Sequence, residues 1–171
     1  MIRPGTPQDA RFLRDMLRHA YYWRASGAED ESGLHPMRYV ENWGRPGDAA
    51  VIALDEGFPV GAAWYRLFKS NAQGYGFIDE QTPELSIAVV PSRRGHGFGG
   101  ELMDALLARA RADGFASISL SVAKDSPAVQ LYQRYGFAVH GSFRMPEGGP
   151  EVVTMWRDPR PATAPVGPDA G

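Results

Sequence analysis

The chain has 171 residues, 43% of them hydrophobic and 22% charged, which predicts one compact domain with an ordinary core and requires no second domain. A net charge of −2 with arginines dispersed among acids gives no broad footprint for nucleic acid, and no apolar run approaches the roughly 20 residues of a membrane helix. Zero cysteines exclude disulfides, thiolate metal sites and a cysteine nucleophile, and with no signal-like N-terminus the expected location is cytoplasmic.

In chain order, Ile2-Arg3 reads as a short strand and Thr6-Pro7 as the cap and first position of a helix running to about Arg24. Phe12, Leu13, Met16, Leu17 and Ala20 recur at helical spacing and predict core packing. Gly27 to Gly33 reads as a loop, and Pro36 opens a second short helix ending near Trp43, stopped by Gly44-Arg-Pro-Gly47. Ala49–Leu54 and Pro59–Phe68 are strands joined through Asp55-Glu-Gly57.

Lys69 to Thr82 is polar and glycine-bearing, a long loop of the functional kind, ahead of a strand from Glu84 to Val90. A glycine-dense turn then leads into a helix with Leu102, Met103, Leu106, Leu107 and Ala110 on one stripe, capped near Asp113-Gly114. Ser117–Val122 is a further strand and Pro127–Tyr135 a short helix closed by Gly136. Phe137–Arg144 with Glu151–Arg157 forms a final hairpin. Residues 1–158 are read as a single domain, and 159–171, rich in proline, alanine and glycine, as a disordered tail.

The glycine turn carries the chemistry. Gly95, Gly97, Gly99 and Gly100 free the backbone to approach a ligand, and the helix N-terminus behind them offers unpaired N–H groups and the positive end of a dipole to phosphate. Gly95-His-Gly-Phe-Gly-Gly100 satisfies G-x-G-x-x-G, yet too little chain follows for the repeated βαβ units of a dinucleotide fold, and no Gly-Lys-Ser/Thr makes it a P-loop.

Read in the register Arg94-x-x-Gly97-x-Gly99, the same segment resembles the pyrophosphate loop of the GNAT superfamily of acyl-CoA-dependent N-acyltransferases. Downstream, Asp125-Ser-Pro-Ala-Val-Gln-Leu-Tyr-Gln-Arg-Tyr-Gly-Phe137 resembles that family's second cofactor segment, N-x-x-A-x-x-L-Y-x-x-x-G-F, with Asp125 where Asn is usual. The order of elements agrees over nearly the whole chain outside the tail. The resemblance implies an α/β fold: a mixed, splayed sheet of about six or seven strands flanked by about four helices.

It also implies acetyl-CoA as cofactor, with Ile87, Ala88 and Val89 binding its amide arm through the backbone, and Arg94, Gly95, His96, Gly97, Phe98, Gly99 and Gly100 holding its pyrophosphate. Asp125 contacts the pantetheine arm or only backbone, since a carboxylate repels phosphate. The implied reaction is direct acetyl transfer to a primary amine, on a small molecule or a protein. Glu84 stands where family members place a general base, although a glutamate at a strand start also serves as a solvated residue. A backbone N–H, that of Val89, is the family-like donor to the oxyanion. Tyr132 stands at the position of the acid that protonates the departing thiolate, with packing as the plainer alternative.

For the acceptor, Trp23 and Trp43 are candidate wall residues, and Asp79 and Glu80 are acids placed to attract a cationic amine. Glu29, Asp30 and Glu31 read as a solvated loop and Tyr21 as core. The scattered His35, His96 and His140 predict no metal site. A catalytically silent CoA-binding module and an NAD(P)-binding protein are the rival readings, and a homodimer is left open.

Overall fold

The computed structural model describes residues 1–20, 36–145 and 149–160. Seven strands form one sheet in the order β1-β2-β3-β4-β5-β7-β6. They are β1 (Ile2–Pro4), β2 (Ala49–Asp55), β3 (Phe58–Arg66), β4 (Glu84–Val89), β5 (Ile118–Ala123), β6 (Ala138–Arg144) and β7 (Glu151–Arg157). Three α-helices are described, α1 (Ala10–Ala20), α2 (Phe98–Ala112) and α3 (Ala128–Arg134), with 3₁₀ turns at Pro7–Asp9, Pro36–Tyr39 and Pro91–Arg93. All neighbouring strands are antiparallel except β4 and β5, which run parallel. The mixed, splayed α/β sheet expected from the sequence is the observed architecture.

Strand alternation sorts the side chains into two cores, one on each face. Leu13, Met16 and Leu17 of α1 pack with Ile52, Ala62, Trp64 and Ala88 on one face. Leu102, Met103, Leu106, Leu107 and Ala110 of α2 pack with Val51, Ala63, Tyr65 and Leu85 on the other. With both faces covered, β2 and β3 read as continuous apolar runs instead of alternating ones. Each fully buried leucine contributes roughly 2 kcal/mol.

Two differences from the sequence reading have local causes. The segment opened by Pro36 makes one 3₁₀ turn instead of a helix to Trp43, because the carbonyls that would extend it are taken by β3 side chains. Arg66 Nη1 donates to the carbonyls of Arg38 (3.0 Å) and Glu41 (2.7 Å), and Trp64 Nε1 donates to that of Tyr39 (3.1 Å). The β2–β3 turn is tighter than expected, with Glu56 and Gly57 both at positive φ, as a two-residue hairpin turn demands. The expected end of the first helix at Arg24, Tyr21, Trp23, the acidic run Glu29-Asp30-Glu31, His35 and the tail from 161 to 171 lie outside the described residues.

Arg66, at the end of β3, is 1% exposed and forms a two-pronged ion pair with the buried Asp48, Nε to Oδ1 at 2.9 Å and Nη2 to Oδ2 at 2.8 Å. Removing one partner strands the other charge in the interior. Asp48→Ala is expected to cost about 3–5 kcal/mol in urea unfolding, whereas Lys124→Ala, at the exposed pair with Glu151, changes stability by less than about 1 kcal/mol.

Candidate functional site

The turn after β4 builds a cradle. Gly95 and Gly97 lie at φ +80° and +86°, where a side chain is strained, and a Cβ at Gly95, Gly97 or Gly99 would meet nothing within 4 Å. The glycines therefore leave an open concavity over the backbone. The first α2 bond runs from Glu101 N–H to the Gly97 carbonyl, so the amides of Phe98, Gly99 and Gly100 have no helical acceptor. Gly100 differs from the others: a Cβ there would stand 2.8 Å from the Tyr135 hydroxyl, so this glycine lets α2 approach α3. The exposed Arg94 donates from Nε to the Val89 carbonyl at 3.2 Å, and His96 is exposed on the rim. Burial, with the charges of Arg18 and Arg94, holds the His19 imidazole below its usual pKa, so α1 ends close to this cationic edge.

Beside the cradle the sheet splits. β3 and β4 stay in register from Glu84 to Val89, but β4 and β5 share one pair, Glu84 with Ser119. Val90 N–H donates to the Val60 carbonyl, and alternation along the antiparallel pair then turns the amide of Ala88 toward β3 and those of Ile87 and Val89 toward the opening. Of the three strand residues expected to meet a ligand, Ile87 and Val89 face the gap with their backbone.

At the closed end of that gap lies Glu84, 1% exposed. Its Oε2 accepts a hydrogen bond from the Tyr39 hydroxyl and its Oε1 one from the Gly76 N–H at 2.8 Å. The Tyr39 hydroxyl in turn accepts from the Tyr75 N–H at 2.6 Å, and Ser119 Oγ donates to the Gly76 carbonyl at 2.8 Å. The loop from 69 to 83 is thus pinned against β4 and β5. Desolvation pushes the Glu84 carboxyl up to about 7, with Tyr39 and the Gly76 amide opposing that shift by bonding the charged form.

Space here is closed: a Cβ on Gly74 would come 2.6 Å from Glu84 Oε1, and one on Gly76 2.8 Å from the Leu120 backbone. On β5, Ser121 Oγ is buried without a hydrogen-bond partner among the described residues, near enough to Glu84 to favour its charged form. Its neighbour across the β5–β7 pair is the buried Thr154. This hydroxyl is placed to turn toward the Glu84 carboxylate or toward a polar group that enters the gap.

The other candidates have varied surroundings. Tyr132, on α3, is half-buried with its ring edge-on to Phe137 at 6.1 Å. Asp125 is exposed in the turn before α3. Trp43 lies under the Arg66 guanidinium, 5.4 Å from ring centre to Cζ. Asp79 accepts from the Gln81 N–H, and Glu80 accepts from Ser70 N–H and Oγ, so both carboxylates brace the loop itself. Tyr39, Tyr75, Gly76, Ser119 and Ser121 complete the buried polar cluster around Glu84, and sequence spacing gave no sign of them because they converge on β4 from three separate segments.

A sequence profile described as the acetyltransferase (GNAT) family matches residues 11–137. The chain is 32% identical over 106 residues to a mycothiol acetyltransferase of Brachybacterium faecium, covering 61% of this chain and 30% of that protein, so it spans under a third of that relative's length. Among solved structures it is similar to a ribosomal-protein-alanine N-acetyltransferase from Brucella melitensis, with a TM-score of 0.67 and 23% identity over 92% of this chain and 99% of the other. It is also similar to an acetyltransferase from Salmonella typhimurium solved with acetyl-CoA, with a TM-score of 0.69 and 20% identity over 96% of each chain.

The raised pKa of Glu84 fixes a sign for stability. A carboxyl easier to protonate in the folded than in the unfolded state contributes stability below pH 4.5 that is lost as pH rises through about 7. Relative to Glu84→Gln, the unmodified protein should lose up to about 3 kcal/mol over that window. Urea unfolding at several pH values reads this directly, and parallel curves for the two proteins would contradict it.

Proposed function

The chain belongs to the GNAT acetyltransferase family, and on that premise we propose that it transfers the acetyl group of acetyl-CoA to a primary amine on a small molecule or a protein. The observation that carries this reading is the buried Glu84 carboxyl at the root of an open strand gap, beside the buried Ser121 hydroxyl.

The residues present fit the donor substrate. The concavity over Gly95, Gly97 and Gly99, the unpaired amides of α2 and the charge of Arg94 suit a pyrophosphate. Ile87 and Val89 present main-chain groups to an amide-bearing arm, as a strand edge does to a peptide. Acetyl-CoA supplies a thioester carbonyl open to attack by a neutral amine.

The remaining work falls to side chains. A lysine-like amine has a pKa near 10.4, so near neutral pH it must give up a proton before it reacts. Glu84, raised to about 7, takes that proton at a carboxylate oxygen, directly or through a water. Tyr39 is its positioning residue, since its O–H holds Oε2 and favours the ionised carboxylate. Ser121 Oγ offers the acceptor or its water a polar contact. The Val89 N–H, directed to the gap, is the donor placed for developing negative charge on oxygen, and Tyr132 Oη holds the proton that a departing thiolate requires. Trp43 and the loop carrying Asp79 and Glu80 border the acceptor side.

Release of free CoA over a panel of amines tests the activity. Gly97→Val is expected to abolish stabilisation by CoA while the protein still folds, and unchanged CoA affinity would remove the cradle assignment. Tyr132→Phe is expected to lower kcat about 100-fold with little change in CoA affinity. The rising limb of the pH–rate profile should lie near the pKa of Glu84 and disappear in Glu84→Gln. In Tyr39→Phe, which loses a donor to the charged carboxylate, it should move to higher pH. A limb that stays in place in both variants would point to another base.

A further inference from the structure

Arg66 and Glu84 are register partners on β3 and β4, so their side chains leave the same face of the sheet with Cβ atoms about 5 Å apart. Both residues are 1% exposed. A buried arginine directly opposite a buried glutamate has every electrostatic reason to pair with it, since either charge is costly alone. Here that pair is not made. The guanidinium turns instead to Asp48, and among the described residues Glu84 takes part in no ion pair.

Asp48 is itself fixed to receive the cation. Its Oδ2 accepts from the N–H groups of Gly44 (3.0 Å) and Arg45 (2.9 Å) in the turn ahead of β2. Arg66 meets it with Nε and Nη2 and places Nη1 on the carbonyls of Arg38 and Glu41. All three guanidinium nitrogens are thus engaged on this side, and a planar fork so held has one orientation.

Arg66 is also the cation that the packing sets nearest the Glu84 carboxyl. Tyr39, stacked on Tyr75, and the Gly76 amide meet the carboxyl oxygens, and Ser121 stands beside them on β5 opposite Thr154 of β7. Helix α1 turns Leu13, Met16 and Leu17 to the core and leaves Arg11, Arg14, Asp15 and Arg18 exposed. In the long loop, Asp79 and Glu80 are occupied by Gln81 and Ser70. Conversely, a guanidinium released from Asp48 has Glu84 as its buried alternative, because Asp9 is engaged by Arg3 and Glu41 is exposed.

We propose that Asp48 is a positioning residue for Glu84: by holding the Arg66 guanidinium to one side, it keeps this cation off the carboxyl that the register sets opposite it. The consequence for catalysis rests on the reading of Glu84 as the base. A carboxylate paired with Arg66 would ionise well below neutral pH and would be a poor acceptor for the proton of an ammonium.

Asp48→Asn keeps the shape of the side chain and removes its charge. The Glu84 pKa, read by carboxyl ¹³C NMR on the full chain, is expected to fall from about 7 by about 1–3 pH units in this variant. The rising limb of the pH–rate profile should move to lower pH with it. Asp48→Asn combined with Arg66→Gln, which leaves no charge at either position, should return the pKa to about 7 or higher. An unchanged Glu84 pKa in Asp48→Asn would overturn the proposal, as would a fall that persists once Arg66 is also replaced. Folding of the double variant but not of Asp48→Asn would show that Glu84 cannot take the guanidinium, and would overturn it equally.

The unmodified protein gives a reading that needs no variant. The Arg66 Nε–H should keep its protection from solvent exchange while Glu84 ionises between about pH 5 and 9, and loss of that protection would mean that the guanidinium is not held by Asp48. The NMR readings do not depend on turnover. A chain inactive toward every amine would remove the catalytic reading and leave the separation of Arg66 from Glu84 to stand or fall by its own measurements.

Discussion

A single buried carboxyl governs the arrangement of this fold's interior. Glu84 sits where β4 and β5 meet for their one register pair, and an acid that deep must be bonded, neutral or both. Its two oxygens are met by Tyr39 from the segment after Pro36 and by the Gly76 amide from the long loop. Those partners are fixed in turn by Tyr75 and Ser119. The path of this loop, which also packs Tyr75 and Phe77 into the α1-side core, thus follows in part from satisfying one side chain. Gly74 and Gly76 follow from it too, since a side chain at either would strike the carboxylate or the strand behind it.

The same region contrasts two ways of burying charge. Arg66 and Asp48 neutralise each other through paired bonds, and the leftover guanidinium donors tie down the carbonyls of Arg38 and Glu41. That pair is complete and chemically quiet. Glu84 has only neutral partners, so its proton is held or released according to pH. One buried acid is committed to architecture and the other left titratable, though they are only two elements apart in the chain. The difference lies in whether a cation reaches the site, a property of packing and not of residue type.

Much of this was legible in the sequence. The strand from Glu84, the glycine turn and the stripe from Leu102 to Ala110 follow from local rules that act within one or two turns of chain, and the two linked segments around Gly97 and Tyr132 named the family. The early stop after Tyr39 was hidden because Arg66, 25 residues or more downstream, removes the carbonyls a helix needs. Asp79 and Glu80 looked like free acids in a polar loop, and only the folded path shows them capping Gln81 and Ser70. Ser121 carries no signal at all in sequence, for a serine in a strand becomes informative only once its hydroxyl is seen to be buried beside Glu84.

The single register pair between β4 and β5 also has a mechanical meaning. On one side, β1 to β4 form a continuous antiparallel ladder; on the other, β5, β7 and β6 form a second. Hydrogen bonding joins these ladders across the seam at one point, with the Ser119 N–H on the Pro83 carbonyl among its bonds. The seam is therefore a built-in hinge line, and slow amide exchange should resolve the two ladders as separate cooperative units. A molecule seated in the seam would act as a splint between them, so that occupancy stiffens the protein along the line on which we propose its chemistry takes place.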